Sequence, residues 1–143
     1  FIQHQLGEIG ISVKVDLTPS VTHRELAARS KLNFFRNSWI ADYPDGENYL
    51  ALFYSKNFTP NGPNYTHFKN KEYDHLYEIA QSETNDSTRY FYYQEMDKLI
   101  IEEAPVVTLY YDQVVRLIQK NVKGLGINPV NLLTLKNVKK EIN

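Results

Sequence analysis

Two consecutive helical patterns, stopped by a proline, constrain this chain more than any other feature. Tyr73, Leu76, Tyr77 and Ala80 recur at the i, i+3, i+4, i+7 spacing of one helix face, which predicts a helix over 71–83. Asp86 or Ser87 caps a longer helix to about Ala104, with Phe91, Tyr92, Met96, Leu99 and Ile100 on its inner stripe. Pro105 ends it, because proline lacks a backbone N–H and its ring clashes with the preceding turn.

Before this block the patterns alternate. In residues 1–10, Ile2, Leu6 and Ile9 share a helix face and Gly10 is a suitable stop. Ile11, Val13, Val15 and Leu17 alternate with Ser12, Lys14 and Asp16, which predicts a strand with one buried face. Thr22 and Glu25 have capping-box spacing, with Val21 and Leu26 at the staple positions, so a short helix is expected to end near Ser30. Residues 33–40 read as a second strand. This order describes an α/β unit with parallel pairing. Tyr43-Pro44-Asp45-Gly46 is a turn, and Asp45 is placed to cap a helix from Glu47 to about Tyr54. Residues 55–70 read as a long loop without regular structure, of a kind that is functional or mobile. After Pro105, 106–111 reads as a buried strand and 114–119 as another.

A length of 143 residues suits one domain, with roughly two-thirds of the unfolded surface buried. The net charge of −1 argues against nucleic acid as a main partner, since phosphate binding needs a clustered basic excess. With no cysteine there is no disulfide, Fe–S cluster or thiol nucleophile. No apolar run approaches the ~20 residues of a membrane span. The first residue is Phe, so the chain reads as a fragment or a processed product.

Little of the sequence carries catalytic or cofactor chemistry. His4, His23, His67 and His75 form no metal-ligand spacing, and no phosphate-cradling or dinucleotide fingerprint occurs, so neither metal nor cofactor is expected. Asp42, Asp45 and Glu47 cluster too tightly to flank a bond from opposite sides, and a capping turn accounts for Asp45 and Glu47. Asp42 is left over. It follows Trp39, Ile40 and Ala41 at the end of an expected strand, where open α/β sheets bind ligands. An indole wall and one fixed negative charge suit a ligand site, while a core Trp and a turn Asp also account for the pair.

Five stretches resemble a known family: FIQHQLGEIGISVKV, SWIADYPDGENYLALFYS, NKEYDHLYEIAQSE, RYFYYQEMDKLIIEEAPVVTLYY and VKGLGINPVNLLTLKNV. Together they are similar to the C-terminal part of the oligopeptide- and dipeptide-binding proteins of bacterial ABC importers (extracytoplasmic solute-binding protein family 5). The resemblance implies an α/β fold: a C-terminal fragment of a two-lobed, periplasmic-binding-protein-like (type II) fold, mostly the second lobe. Residues 1–111 would be the second-lobe segment carrying the W-x-A-D strand end, and 112–143 the inter-lobe crossing and C-terminal return.

It also implies a binding protein and not an enzyme. Asp42 would pair with the free α-ammonium of a peptide, and Trp39, Ile40 and Ala41 would line the same pocket. Arg36 matches an arginine that reaches a peptide carboxylate, although odd strand spacing sets it opposite Trp39. Of Tyr110 and Tyr111, one would face the ligand. The implied partners are a peptide, the facing N-terminal lobe and the importer's membrane subunits, with self-association of the fragment as a further expectation. The setting would be periplasmic or extracytoplasmic, with or without a lipidated N-terminus. Other branches of the family suggest a nickel chelate, haem or an oligosaccharide as ligand. A hydrolase using Asp42 and Asp45 is the contrasting class, and a purely structural assembly domain a third.

Overall fold

Two asparagines start the helices that carry the core. The computed structural model describes residues 1–141. The side chain of Asn70 accepts hydrogen bonds from the N–H groups of Glu72 (2.8 Å) and Tyr73 (3.0 Å), starting α4 (Lys71–Ser82). Glu72 and Asp74 in its first turn complement the positive end of the helix dipole. Asn85 accepts from the Thr88 N–H (3.1 Å) and starts α5 (Asp86–Glu103), so the cap lies one residue ahead of the expected Asp86. Ala104, at φ 47°, closes α5 in the left-handed region just before Pro105.

Residues Phe1–Phe35 form one compact unit and the chain from Arg36 another. In the first, α1 (Ile2–Glu8) runs out through Ile9 to Gly10, whose φ of 81° suits glycine. The second helix, α2 (Ser20–Ala28), begins earlier than the capping box predicts. The Pro19 carbonyl accepts from the His23 N–H at 2.9 Å, which closes the first turn before Thr22 can serve as a cap. Ala27 is buried, and His23 and Phe35 meet edge to face with ring centres 6.0 Å apart.

The second unit packs a short helix, α3 (Glu47–Leu50), against α5, and α4 against α5. Its core holds Leu50, Tyr54, Phe68, Tyr73, Tyr77, Ala80, Met96 and Ile100. Tyr73 and Met96 are both 0% exposed. Buried phenols need acceptors. The Tyr73 hydroxyl donates to the Leu50 carbonyl at 2.7 Å, and the Tyr77 hydroxyl donates to Glu47. Tyr54 and Tyr77 stack at 4.5 Å. Three of the chain's eleven tyrosines, Tyr54, Tyr73 and Tyr77, thus build a small core that remains hydrogen-bonded.

Residues 55–70 depart from expectation. A 3₁₀ turn at Ser55–Asn57 leads to a parallel bridge between Phe58 and Asn64. Asn64 is fully buried. Its Nδ2 donates to the carbonyls of Tyr54 (3.1 Å) and Phe68 (3.0 Å), its Oδ1 accepts from the Thr66 hydroxyl (3.0 Å), and its N–H donates to Asn57 (2.8 Å). This buried carboxamide is satisfied from every side, and it organises a segment that has no ladder.

The expected strands differ most. Among the described residues no ladder forms over 11–17, 33–40, 106–111 or 114–119, and β1 (Val122–Lys123) pairs antiparallel with β2 (Lys139–Lys140) alone. Many apolar side chains of those stretches face outward, although Val13, Phe35, Trp39 and Val106 are partly buried. Leu17 is 93% exposed, Tyr111 94% and Leu117 95%. A period-two pattern specifies a face, but a strand also needs a neighbouring backbone to receive its N–H and C=O groups. Gly124 sits at φ 78° beside β2. A Cβ there would lie 2.2 Å from the Asn137 carbonyl oxygen, so only glycine fits. No helix among the described residues is long and apolar enough to cross a membrane.

The tyrosine core sets an alkaline limit. Burial pushes the phenols of Tyr73 and Tyr77 well above their ordinary value, and the Glu47 carboxylate adds to this for Tyr77. Burial and the Asp45 carboxylate push Tyr93 up to about 12. A phenol whose pKa is raised by folding contributes stability that is complete below about pH 10 and is lost as pH rises further. We therefore expect helical circular dichroism to hold to about pH 10 and then to fall together with the appearance of phenolate absorbance from the buried rings. Ionisation of all tyrosines near pH 10 with the helices intact would contradict this.

Candidate functional site

The stretch from Trp39 to Asp42 is irregular, and it is held from the side by α3. The Trp39 indole Nε1–H donates to the Oδ1 of Asn48 at 2.7 Å, and the Asp42 backbone N–H donates to the same oxygen at 3.2 Å. Asn48 is 5% exposed. Both groups facing that atom are donors, so the chemistry itself assigns it as the amide oxygen. Trp39 and Ala41 are half-buried, Ile40 is 66% exposed, and Asp42 is exposed. The Asp42 carboxylate makes no hydrogen bond or ion pair among the described residues.

The two neighbouring acids have structural work. Asp45 Oδ1 accepts from the Glu47 N–H at 2.9 Å just ahead of α3, although the N-cap position itself is Gly46 and the helix ends at Leu50, short of the expected Tyr54. The other Asp45 oxygen pairs with Arg89 of α5 at 3.0 Å. Burial pushes the Asp45 carboxyl up, but the Glu47 N–H, the Tyr93 hydroxyl and the Arg89 guanidinium together hold it below its ordinary value. Glu47 accepts from the hydroxyls of both Tyr43 and Tyr77. Tyr43 is raised, chiefly because Glu47 accepts its hydrogen bond, while the Asn48 side chain pulls the other way. An open crevice of about 640 Å³ lies here, lined by Tyr43, Asp45, Glu47, Gln81, Arg89 and Tyr93. Asp42 and Trp39 are not among its walls.

The remaining expected site residues are Arg36 and Tyr111. Arg36 donates through Nη2 to the Tyr110 hydroxyl at 2.6 Å, with its guanidinium 5.9 Å from that ring's centre. Tyr111 makes no hydrogen bond or ring contact among the described residues. No group of three or more His, Asp or Glu side chains is placed to hold a metal ion among those residues. Asn48 and Arg89 escape a reading of the sequence alone. Asn48 lies six residues after Asp42 and nine after Trp39, a spacing with no periodic meaning.

No protein-family model matches the chain. Curated relatives do. The dipeptide-binding protein DppE of Bacillus subtilis (strain 168) is 32% identical over 136 residues, which cover 94% of this chain and 24% of that protein. The periplasmic murein peptide-binding protein MppA of Escherichia coli (strain K12) is 29% identical, over 84% of this chain and 22% of its own length. A solved structure of the MppA periplasmic murein tripeptide binding protein, in an unliganded open form, superposes with a TM-score of 0.78. It is 24% identical and covers 97% of this chain and 27% of its own. HbpA2 from Haemophilus parasuis has the same fold over 99% of this chain, with a TM-score of 0.75 and 18% identity. The chain spans about a quarter of the length of the curated relatives it matches. Its fold is that of a portion of a two-lobed solute-binding protein, which upholds the expected fold class although the strands themselves are unpaired here.

Proposed function

Because this chain is a relative of the dipeptide- and oligopeptide-binding proteins of ABC transport systems, we propose that it is the peptide-recognising portion of such a receptor. In this reading it works outside the cytoplasmic membrane, carries out no reaction and delivers peptide to the membrane subunits of an importer. Residues 1–111 belong to the second lobe, and 112–143 cross between lobes and return. One observation carries the proposal. The Asp42 carboxylate is exposed and unpaired among the described residues, while the backbone that bears it is fixed beside an anchored indole.

The chemistry fits a peptide's amino terminus. An α-ammonium entering a closed cleft loses several kcal/mol of hydration. An ionised, oriented carboxylate offsets that through charge-assisted hydrogen bonds. Trp39, Ile40 and Ala41 supply apolar wall and main-chain groups, against which an extended ligand bonds as an added strand does. Arg36, held by Tyr110, and Tyr111 take supporting positions toward the ligand's far end. A facing lobe completes the cleft, since closure of such receptors brings two lobes together around the ligand. The test is calorimetry on the two-lobed receptor with a dipeptide and its N-acetylated form. We expect the acetylated peptide to bind at least tenfold more weakly, since about 1.4 kcal/mol corresponds to each tenfold step. Equal affinities would remove the Asp42 role.

A further inference from the structure

We propose that Asn48 is a positioning residue for the peptide amino terminus, an inference that rests on the Asp42 reading above. One buried amide oxygen receives two donors from the two ends of the Trp39–Asp42 stretch. A carbonyl oxygen has two lone pairs, and both are used here. The two bonds do different things. The indole bond fixes the plane of the Trp39 ring. The backbone bond fixes the Asp42 N–H, and with it the direction in which the carboxylate leaves the main chain.

The oxygen is itself well referenced. It sits on α3, whose Glu47 N–H is held by Asp45, and Asp45 is ion-paired to Arg89 on α5. The next α3 residue but one, Leu50, accepts the Tyr73 hydroxyl from α4 at 2.7 Å. The carboxylate is thereby set against the rigid α4–α5 pair through a single side chain, although no strand ladder holds the stretch that carries it. Burial keeps water from competing for the oxygen, which strengthens both bonds. The residue need not touch the ligand, because it acts through the two groups that do.

The test compares Asn48→Leu, which keeps the size and removes the acceptor, with Asn48→Asp, which keeps an acceptor. The chain has one tryptophan, so its nitrogen-labelled form gives a single indole N–H resonance that reports the Trp39 bond directly. We expect N48L to move that resonance toward the free-indole position with helical content retained, and N48D to leave it hydrogen-bonded. In the two-lobed receptor, N48L should weaken binding of a free-amino dipeptide by about 10- to 100-fold, the usual effect of removing a group that orients a ligating residue. Combined with Asp42→Asn, it should add almost nothing further. An unmoved indole signal in N48L, or losses from N48L and D42N that multiply, would overturn the inference. A D42N receptor that is weakened beside an N48L receptor that is not overturns it alone. A D42N receptor that binds as the parent does overturns the ammonium reading, and the role of Asn48 toward peptide falls with it.

Discussion

Met96→Ala is expected to destabilise the second unit by about 2–5 kcal/mol, the usual cost of truncating a fully buried Met, Leu or Ile. Met96 lies at 0% exposure on α5 and belongs to the cluster that joins α5 to α4, with Tyr73, Tyr77 and Ala80 on the facing helix. Truncation removes apolar contact and leaves a void lined largely by aromatic rings. Those rings cannot collapse into it without giving up their hydroxyl partners, the Leu50 carbonyl and Glu47. A domain of this size holds about 5–15 kcal/mol in all, so the loss is a large share. Urea unfolding followed by circular dichroism measures it as a lower midpoint with an unchanged slope. Met96→Leu, similar in volume, should stay within about 1.5 kcal/mol of the parent. Ile101→Ala, on the next residue but four along α5 and 62% exposed, should have a much smaller effect. Equal effects at 96 and 101 would mean that the α4–α5 seam is not the core.

Asp42→Asn is the second large effect, and it is read on affinity. The substitution keeps the shape, removes the charge and turns one acceptor oxygen into an amide donor. In the proposed closed cleft the ammonium would then face a neutral amide after losing its water. Removing one partner of a desolvated charge pair costs about 2–4 kcal/mol, or roughly 30- to 1000-fold in Kd. Because Asp42 is exposed and unpaired among the described residues, the same change should leave unfolding within about ±0.5 kcal/mol of the parent. This separation of binding from stability is the informative part. Calorimetry with a free-amino dipeptide and urea unfolding on the same sample measure both. Binding unchanged, or lost only in parallel with stability, would place the carboxylate outside the ligand's reach.

What the sequence revealed follows the range of the interactions involved. The α4 and α5 helices were legible because their period and caps are local and their core face is shared between neighbours in the chain. The Asp45 contact with the start of α3 was legible for the same reason. The patterns at 11–17, 33–40, 106–111 and 114–119 predict strands, yet neither alternation nor an apolar run supplies the neighbour that pairing requires. The capping box at Thr22 and Glu25 had the right spacing and lost to a turn already closed by Pro19. Trp39 and Asp42 were found as residue types next to one another. Asn48 was not, because convergence on one oxygen depends on the angle at which α3 returns, and no residue spacing encodes that angle.

The carboxamide at position 64 has a reach beyond its size. It ties the main chain at Tyr54 to that at Phe68 at one dry point, while the backbone N–H of the same residue ties it to Asn57. Outer positions such as Asn61 and Lys69 face water, and substitutions there should stay within about ±0.5 kcal/mol of the parent. At position 64 aspartate would lack the two donors, and leucine would lose all three side-chain bonds while keeping the backbone bonds. A stretch without repeating geometry is in this way held as one solid piece, and the helices at either end keep their footing on it.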